Sequence, residues 1–246
     1  MPDVVRHDWQ PAIRPLEEGR FVAAIGDVHG HAALLARMHE AIDAELQHLG
    51  PSSATVIHLG DIIDNGPSNH EALLVARKGV NSAETITLRG NHEDRMIRYL
   101  TRTSKATLNA WLNAGGWGMF EQMGIDPFRT TVADFIMALG EDLVDWLLRT
   151  PVIHRIGSLA FVHAGIDPAR AIDDQDPHIL MWTRKAWIDS PGPYLGNVAV
   201  IHGHIPRRFV DLSDPHRIDL DSGIVNSGTL SALVIYEDRM RLLQVS

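Results

Sequence analysis

The sequence contains no cysteine, which excludes disulfides and thiolate metal sites. No apolar run reaches the length of about 18 residues that a spanning helix requires, so no membrane partner is expected. Blocks of basic residues are missing and the formal net charge is −9, which disfavours a nucleic-acid backbone as partner. An acidic chain can still bind anions where metals or local cations reverse the field. The opening MPDVVRHDWQPAIRPLEEG has no apolar core of the kind a secretory signal needs, and a cytoplasmic location is the expectation. With Pro2, Pro11 and Pro15 it reads as an irregular leader over 1–19. No internal repeat or low-complexity tract occurs.

What is present is ordinary globular composition: 246 residues, 45% hydrophobic and 22% charged. That suits one α/β domain over 1–246 with a modest insertion. The fourteen histidines stand out more, because neutral imidazole is the commonest metal ligand.

The first ninety residues repeat strand, polar loop and helix three times. RFVAAI (20–25) precedes GDVHG and an amphipathic helix over 31–49. ATVIHL (54–59) precedes GDIIDNGP and a helix from Asn69 to Lys78. ETITL (84–88) precedes RGNHE and a helix from about Glu93 to Thr103. Such alternation predicts right-handed βαβ units in a parallel sheet. Residues 104–150 read as a helical insertion with glycine breaks, either capping substrate access or packing in the core. Strands return at SLAFVH, NVAVIH, RIDLD, SALVIYE and MRLLQV. Few helices separate them, which predicts a second, antiparallel or mixed sheet. The fold class is α/β, with two sheets in contact and helices outside.

Each strand-end loop carries metal-ligand residue types: Asp27 and His29, then Asp61, then Asn91 and His92, with His163, His202 and His204 later. The carboxyl ends of parallel strands share one edge, so these loops can converge. Carboxylate, imidazole and amide donors favour Mn, Fe, Zn or Mg over soft metals. So many candidates exceed one tetrahedral centre and suit two cations, with Asp61 as the bridge. Singly, each motif has a plainer explanation. A GD turn can cap a helix, Asn91 can do the same, and a strand-end histidine is often a satisfied core residue. The ordered set DVH, GD, GNHE, HAG and GH is what favours a dimetal site.

This set resembles the calcineurin-like metallophosphoesterase superfamily, and within it the bacterial, phage-type branch of the phosphoprotein phosphatases. The likeness runs from about Arg20 to Val245 and includes LRGNHE, FVHAGIDP, DDQDPHILMWTRKAW, VIHGHIP and RIDLDSG. It implies a metallophosphatase-type four-layer sandwich of two mixed β-sheets flanked by helices. It also implies two divalent metal ions, with Mn²⁺ first and Fe, Zn or Mg as alternatives. By the family pattern Asp27 and His29 hold one metal, Asp61 bridges, and Asn91, His163 and His204 hold the other. His204 rather than His202 matches the Gly-His-x-Pro pattern, which leaves His202 a supporting or packing role. His92 resembles the general acid and Asp64 the carboxylate that orients it, while Arg89 and Glu93 resemble supports. Arg184 resembles a phosphate clamp.

The family usually has Arg where this chain has Asn65. An amide grips phosphate more weakly than a guanidinium, and Lys185, Arg207 or Arg208 are the cations available to substitute. The implied activity is a serine/threonine phosphatase-like phosphomonoesterase with a metal-bridging hydroxide nucleophile. Its expected partner is a phosphoprotein or small phosphoester. A bis(5'-nucleosyl)-tetraphosphatase or phosphodiesterase activity on the same centre is the alternative. The tetraphosphatases resemble this chain in GDVHG and HAG, but typically keep the Arg and lack the second Asp of the GD loop, so Asp64 points away from them and Asn65 matches neither group. A non-catalytic metal-binding module is disfavoured because every ligand and His92 are present.

Overall fold

A computed structural model describes residues 3–246, which leaves Met1 and Pro2 outside the described residues. The first three apolar runs form strands β3 (Arg20–Ile25), β4 (Ser53–His58) and β5 (Glu84–Thr87). β3 pairs with β4 in parallel, and β4 with β5 in parallel. The intervening helices are α1 (Ala32–Leu49), α2 (Asn69–Lys78) and α3 (Asn91–Arg102). α1 stops where Gly50 turns left-handed and its N–H closes on the Leu46 carbonyl. α3 starts two residues earlier than expected, so Asn91 and His92 lie in its first turn.

The second sheet comprises β6 (Ile153–Ile156), β7 (Leu159–Val162), β8 (Ala199–His202) and β9 (Arg217–Asp219), in that order. β6 and β7 form an antiparallel hairpin, while β7, β8 and β9 run parallel. The last two strands, β10 (Leu230–Tyr236) and β11 (Arg239–Val245), do not belong to it, contrary to the expectation from their position late in the chain. They form a hairpin that joins β3 antiparallel, and so extend the first sheet. The reason is burial on both faces. Leu230, Ala232 and Val234 meet the helices, whereas Leu233 and Ile235 meet the other sheet.

The same alternation explains the layering. Phe21, Ala23 and Ile25 of β3 face α1 and its neighbours, while Val22 and Ala24 face the second sheet. Leu159 and Phe161 of β7 face inward between the sheets, and Ala160 and Val162 face outward. That outer face is covered by a segment containing the short helices α8 (Pro177–Trp182) and α9 (Lys185–Ile188). Helices, sheet, sheet and short helices make a four-layer α/β sandwich.

The stretch 104–150 contains α4 (Lys105–Trp111), α5 (Trp117–Met123), α6 (Val132–Leu139) and α7 (Glu141–Leu148), all in the helical layer of the first sheet. A π-helical turn over Leu112–Gly116 joins α4 to α5. One further short helix, α10 (Ile224–Ser227), precedes β10.

The leader is more ordered than its prolines suggest. β1 (Val4–Arg6) and β2 (Gln10–Pro11) both pair with β11, so this part of the leader is regular and lies on the body, while 12–19 has no helix or strand. Arg6 and Arg241 converge on the buried Glu45 carboxylate of α1 and tie the leader down. Pro11 is tolerated because β2 is an edge strand. Among the described residues no helix is long and apolar enough to cross a membrane.

Candidate dimetal active site

The loops after β3, β4, β5, β7, β8 and β9 meet at one edge of the two sheets. Their backbone is strained there. His29, Asp61, Asp64, Asn65 and His204 have φ of 43°, 50°, 71°, 64° and 70°, values that non-glycine residues adopt infrequently. They are five of the eight such residues described, and strain of this kind clusters at functional sites.

Asp61 is the hub. Its Oδ2 lies 3.3 Å from His163 Nε2, 3.8 Å from His92 Nε2 and 3.9 Å from His29 Nε2. Its Oδ1 accepts the His92 backbone N–H at 3.0 Å. Two groups of potential metal donors share it: His29, Asp61 and His92, and Asp61, His163 and His204. Asn91 Oδ1 is 3.0 Å from His163 Nε2, and His204 Nδ1 is 3.2 Å from the same nitrogen. Asp27 is outside both groups but close by, and accepts the His204 backbone N–H at 3.2 Å through both oxygens.

The histidine tautomers follow from their outer contacts. His163 Nδ1–H donates to the Leu59 carbonyl at 3.0 Å, and His29 Nδ1–H to the Ile63 carbonyl at 3.1 Å. Each Nε2 is thereby turned inward. For His163 this aims Nε2 at the Asp61 and Asn91 oxygens, and either a proton on that nitrogen, which Asp61 favours, or a cation among them satisfies the arrangement. His204 Nε2 is buried with no partner. Burial pushes the Asp27 carboxyl well up, and the charges of Asp221 and Asp61 push it further. Buried carboxylates that repel one another, beside an unpaired imidazole nitrogen, are donors that could hold a cation.

The loop carrying Asp61 is held from below by Glu93. Its carboxylate accepts the N–H groups of Asp61 at 2.9 Å, Ile62 at 2.8 Å, Ile63 at 3.2 Å and Gly90 at 2.9 Å. Arg89, expected beside it, instead ties the chain to the end of α7 through the carbonyls of Leu148 and Thr150. His202 faces away from the donors. Its Nδ1–H donates to the Gly203 carbonyl at 2.9 Å, its Nε2 accepts from Trp187 Nε1–H at 3.1 Å, and burial lowers its pKa to about 3.

His92 Nδ1–H donates to Asp64 Oδ2 at 2.8 Å. Burial lowers the His92 pKa, but the carboxylates of Asp61, Asp64 and Glu93 outweigh it and hold the imidazole at about 9. Trp111 Nε1–H donates to both Asp64 oxygens, at 3.0 and 3.2 Å.

The cations around the site sort clearly. Lys185 pairs with Asp189 at 2.5 Å and Arg207 with Asp219 at 3.3 Å. Arg208 stacks over Phe209 at 5.2 Å. Arg184 is exposed, and among the described residues its guanidinium has no ion pair or hydrogen bond. It is close enough to the donors that its charge, after burial and His163, helps lower the His204 pKa to about 2. Its loop is seated by Trp182, whose Nε1–H donates to Asp94 at 2.9 Å while Arg95 stacks on the ring at 4.6 Å. Asn65 is exposed at the rim, against the π-helical turn. A Cβ on Gly115 would lie 2.3 Å from Asn65 Oδ1.

Residues 22–221 match the calcineurin-like phosphoesterase family. The chain belongs to that family. The family implies a dimetal centre and hydrolysis of phosphoesters, and this member is a phosphoester hydrolase. It is 30% identical to the serine/threonine-protein phosphatase 1 of Salmonella typhimurium, over 86% of this chain and 90% of that one. It is also 30% identical to the symmetrical bis(5'-nucleosyl)-tetraphosphatase of Methylococcus capsulatus, over 60% of this chain but only 44% of that enzyme. Among solved structures it resembles a candidate diadenosine tetraphosphatase (TM-score 0.64, 20% identity, 93% of this chain and 95% of that one). It likewise resembles a cold-active protein-tyrosine phosphatase of a Shewanella species (TM-score 0.55, 18% identity, 93% and 81%). At these identities the structural likenesses establish the fold.

Two residues of this family member escaped the sequence reading. Asp221 is buried at the end of β9 and interacts electrostatically with Asp27, His29 and Asp61. Its place at the end of a strand, like that of the other acids, was the available signal. Trp111 had none, because it is 47 residues from Asp64 in the chain.

Proposed function

We propose that the protein is a dimetal-dependent phosphomonoesterase of the serine/threonine phosphatase type, acting on a phosphoprotein or a small phosphate ester, with Mn²⁺ as its metal. Asp27, His29 and Asp61 would hold one ion, and Asp61, Asn91, His163 and His204 the other. Two divalent ions there would supply Lewis acidity to the phosphoryl group and lower the pKa of water. In this reading His92 is the proton carrier rather than a ligand, as the family pattern implies, and Asp64 on its other nitrogen fixes the tautomer and direction of the ring. Nε2–H donates the proton that the departing oxygen needs, and the Asp64 carboxylate on Nδ1 favours the protonated imidazole. Arg184 binds the phosphate oxygens, and Asn65 contacts them without charge.

The observation that carries this reading is the 2.8 Å Asp64–His92 contact beside Asp61. Coverage of 90% of a serine/threonine phosphatase supports it. A second reading is a phosphodiesterase activity, favoured by the neutral Asn65 because a diester carries less charge and needs fewer cations, or a tetraphosphatase-like activity, supported by the likeness to such enzymes. The test compares p-nitrophenyl phosphate, bis-p-nitrophenyl phosphate, a phosphopeptide and a dinucleoside tetraphosphate at one Mn²⁺ concentration. Highest kcat/KM on the monoesters is expected, and a preference for the diester or the tetraphosphate would replace the first reading with the second.

A further inference from the structure

We infer that Trp111, contributed by the helical stretch 104–150, is a positioning residue for the His92 acid, because its indole N–H fixes the Asp64 carboxylate that orients the imidazole. The inference rests on the proposed role of His92.

Asp64 and Trp111 are both fully buried, at 0% exposure. The Asp64 carboxylate has two side-chain donors among the described residues, His92 and Trp111. Oδ2 receives both, and Oδ1 receives the indole alone. An indole N–H can only donate. It therefore favours the ionised, acceptor-only form of Asp64 and sets the plane in which Oδ2 meets His92 Nδ1. Without it, Oδ1 would be a buried charged oxygen with no donor, a costly state that rotation or water entry would relieve. Either change frees the imidazole from its fixed direction toward Asp61.

The seat of the indole is built for this contact. Tyr99, Phe120 and Phe135 surround it, with ring centroids 5.7, 5.4 and 5.7 Å away. On another side is the backbone of Gly116, where an added Cβ would stand 2.8 Å from the ring. Trp111 immediately precedes the π-helical turn and Gly116 ends it, and the wider winding of such a turn brings residues five apart together. The same turn sets Gly115 against Asn65. One turn of the 104–150 stretch thus touches Asp64 and Asn65, neighbours in the loop of the proposed bridging aspartate. The helical layer becomes part of the acid's support as well as of the core.

The test is the holoenzyme with Trp111→Phe, which keeps an aromatic ring and removes the N–H. Proton donation matters most when the departing oxygen is basic. The readout is therefore the ratio of kcat/KM on p-nitrophenyl phosphate to that on an alkyl phosphate. Both rates come from one preparation, so the ratio is independent of the folded fraction. Trp111→Phe should raise it about ten-fold, the scale of one hydrogen bond to a charged group. Gly116→Ala, which displaces the ring, should raise it in the same direction. In an Asp64→Ala background Trp111→Phe should change it no further. An unchanged ratio in Trp111→Phe, with a raised ratio in His92→Ala, overturns the inference and leaves the acid assignment standing. An unchanged ratio in His92→Ala overturns the acid assignment and the inference with it.

Discussion

The Glu93 carboxylate accepts the backbone N–H of Asp61 at 2.9 Å, so the proposed bridging residue is held in its left-handed conformation by an acid 32 residues away. Three more N–H groups, those of Ile62, Ile63 and Gly90, converge on the same two oxygens. Glu93→Gln would turn an NH₂ group toward donors. Because the Asp61 loop is held from below in this way, metal affinity should fall about 10–100-fold, as for other supports of metal ligands. Calorimetric titration with Mn²⁺ measures this, and wild-type affinity in the variant would remove Glu93 from the account.

Asp61 is common to both donor groups, so its loss should empty more than one site. Elemental analysis after dialysis should find two metals per wild-type chain and fewer than one in Asp61→Ala. Chelation of the wild type should lower its Tm, because the charges of Asp27, Asp61 and Asp221 are then left facing one another. A ligand at 100 times its Kd stabilises by about 2.7 kcal/mol. A Tm indifferent to chelator, with metal retained in Asp61→Ala, would contradict the shared-ligand arrangement.

Asn65 has a conformational reason as well as a chemical one. At φ 64° an asparagine is better tolerated than most residues. Asn65→Arg should therefore cost about 1 kcal/mol of stability while lowering KM for monoesters several-fold. Asn65→Gly should be close to neutral for stability. Thermal melts and monoester kinetics separate the two effects. An unchanged KM in Asn65→Arg would mean that Arg184 already satisfies the phosphate.

A pH effect unconnected with the metals should come from the core. His39 Nε2 is 2.8 Å from His58 Nε2, and His58 Nδ1 is 2.8 Å from Thr87 Oγ1. Burial lowers the His39 pKa to about 4, with Asp43 opposing and Lys78 assisting. The folded state then binds fewer protons than the unfolded state at mildly acidic pH. The stabilisation is complete above the ordinary histidine pKa near 6.5 and is lost as the pH falls toward 4. The loss should be of order 2 kcal/mol. Urea unfolding of the metal-free protein at several pH values tests it, and His39→Phe should flatten the dependence in that window. A slope unaltered by His39→Phe would assign the effect to other groups.

Much of the architecture was legible because it depends on local pattern. Three strand, loop and helix units announced the parallel part of the first sheet. The loop residues at the strand ends announced where donors would gather. β6 was overlooked because IHRI carries charge and alternates weakly. The sheet that β10 and β11 join could not be read locally, since a strand buried on both faces suits either sheet.

By itself the chain order determined which residue types stand at the strand ends: Asp27, His29, Asp61, Asn91, His92, His163 and His204. It did so because strand length and loop position follow from apolar runs and glycines a few residues apart. Only the tertiary structure decided that Trp111 reaches Asp64, that Asp221 joins the acids and that Asn65 is left-handed. It alone showed that His202 turns toward Trp187 while Glu93 grips four N–H groups. Those relations depend on how separate elements pack, on the sign of φ and on the face a side chain takes, and none of these has a period in the sequence.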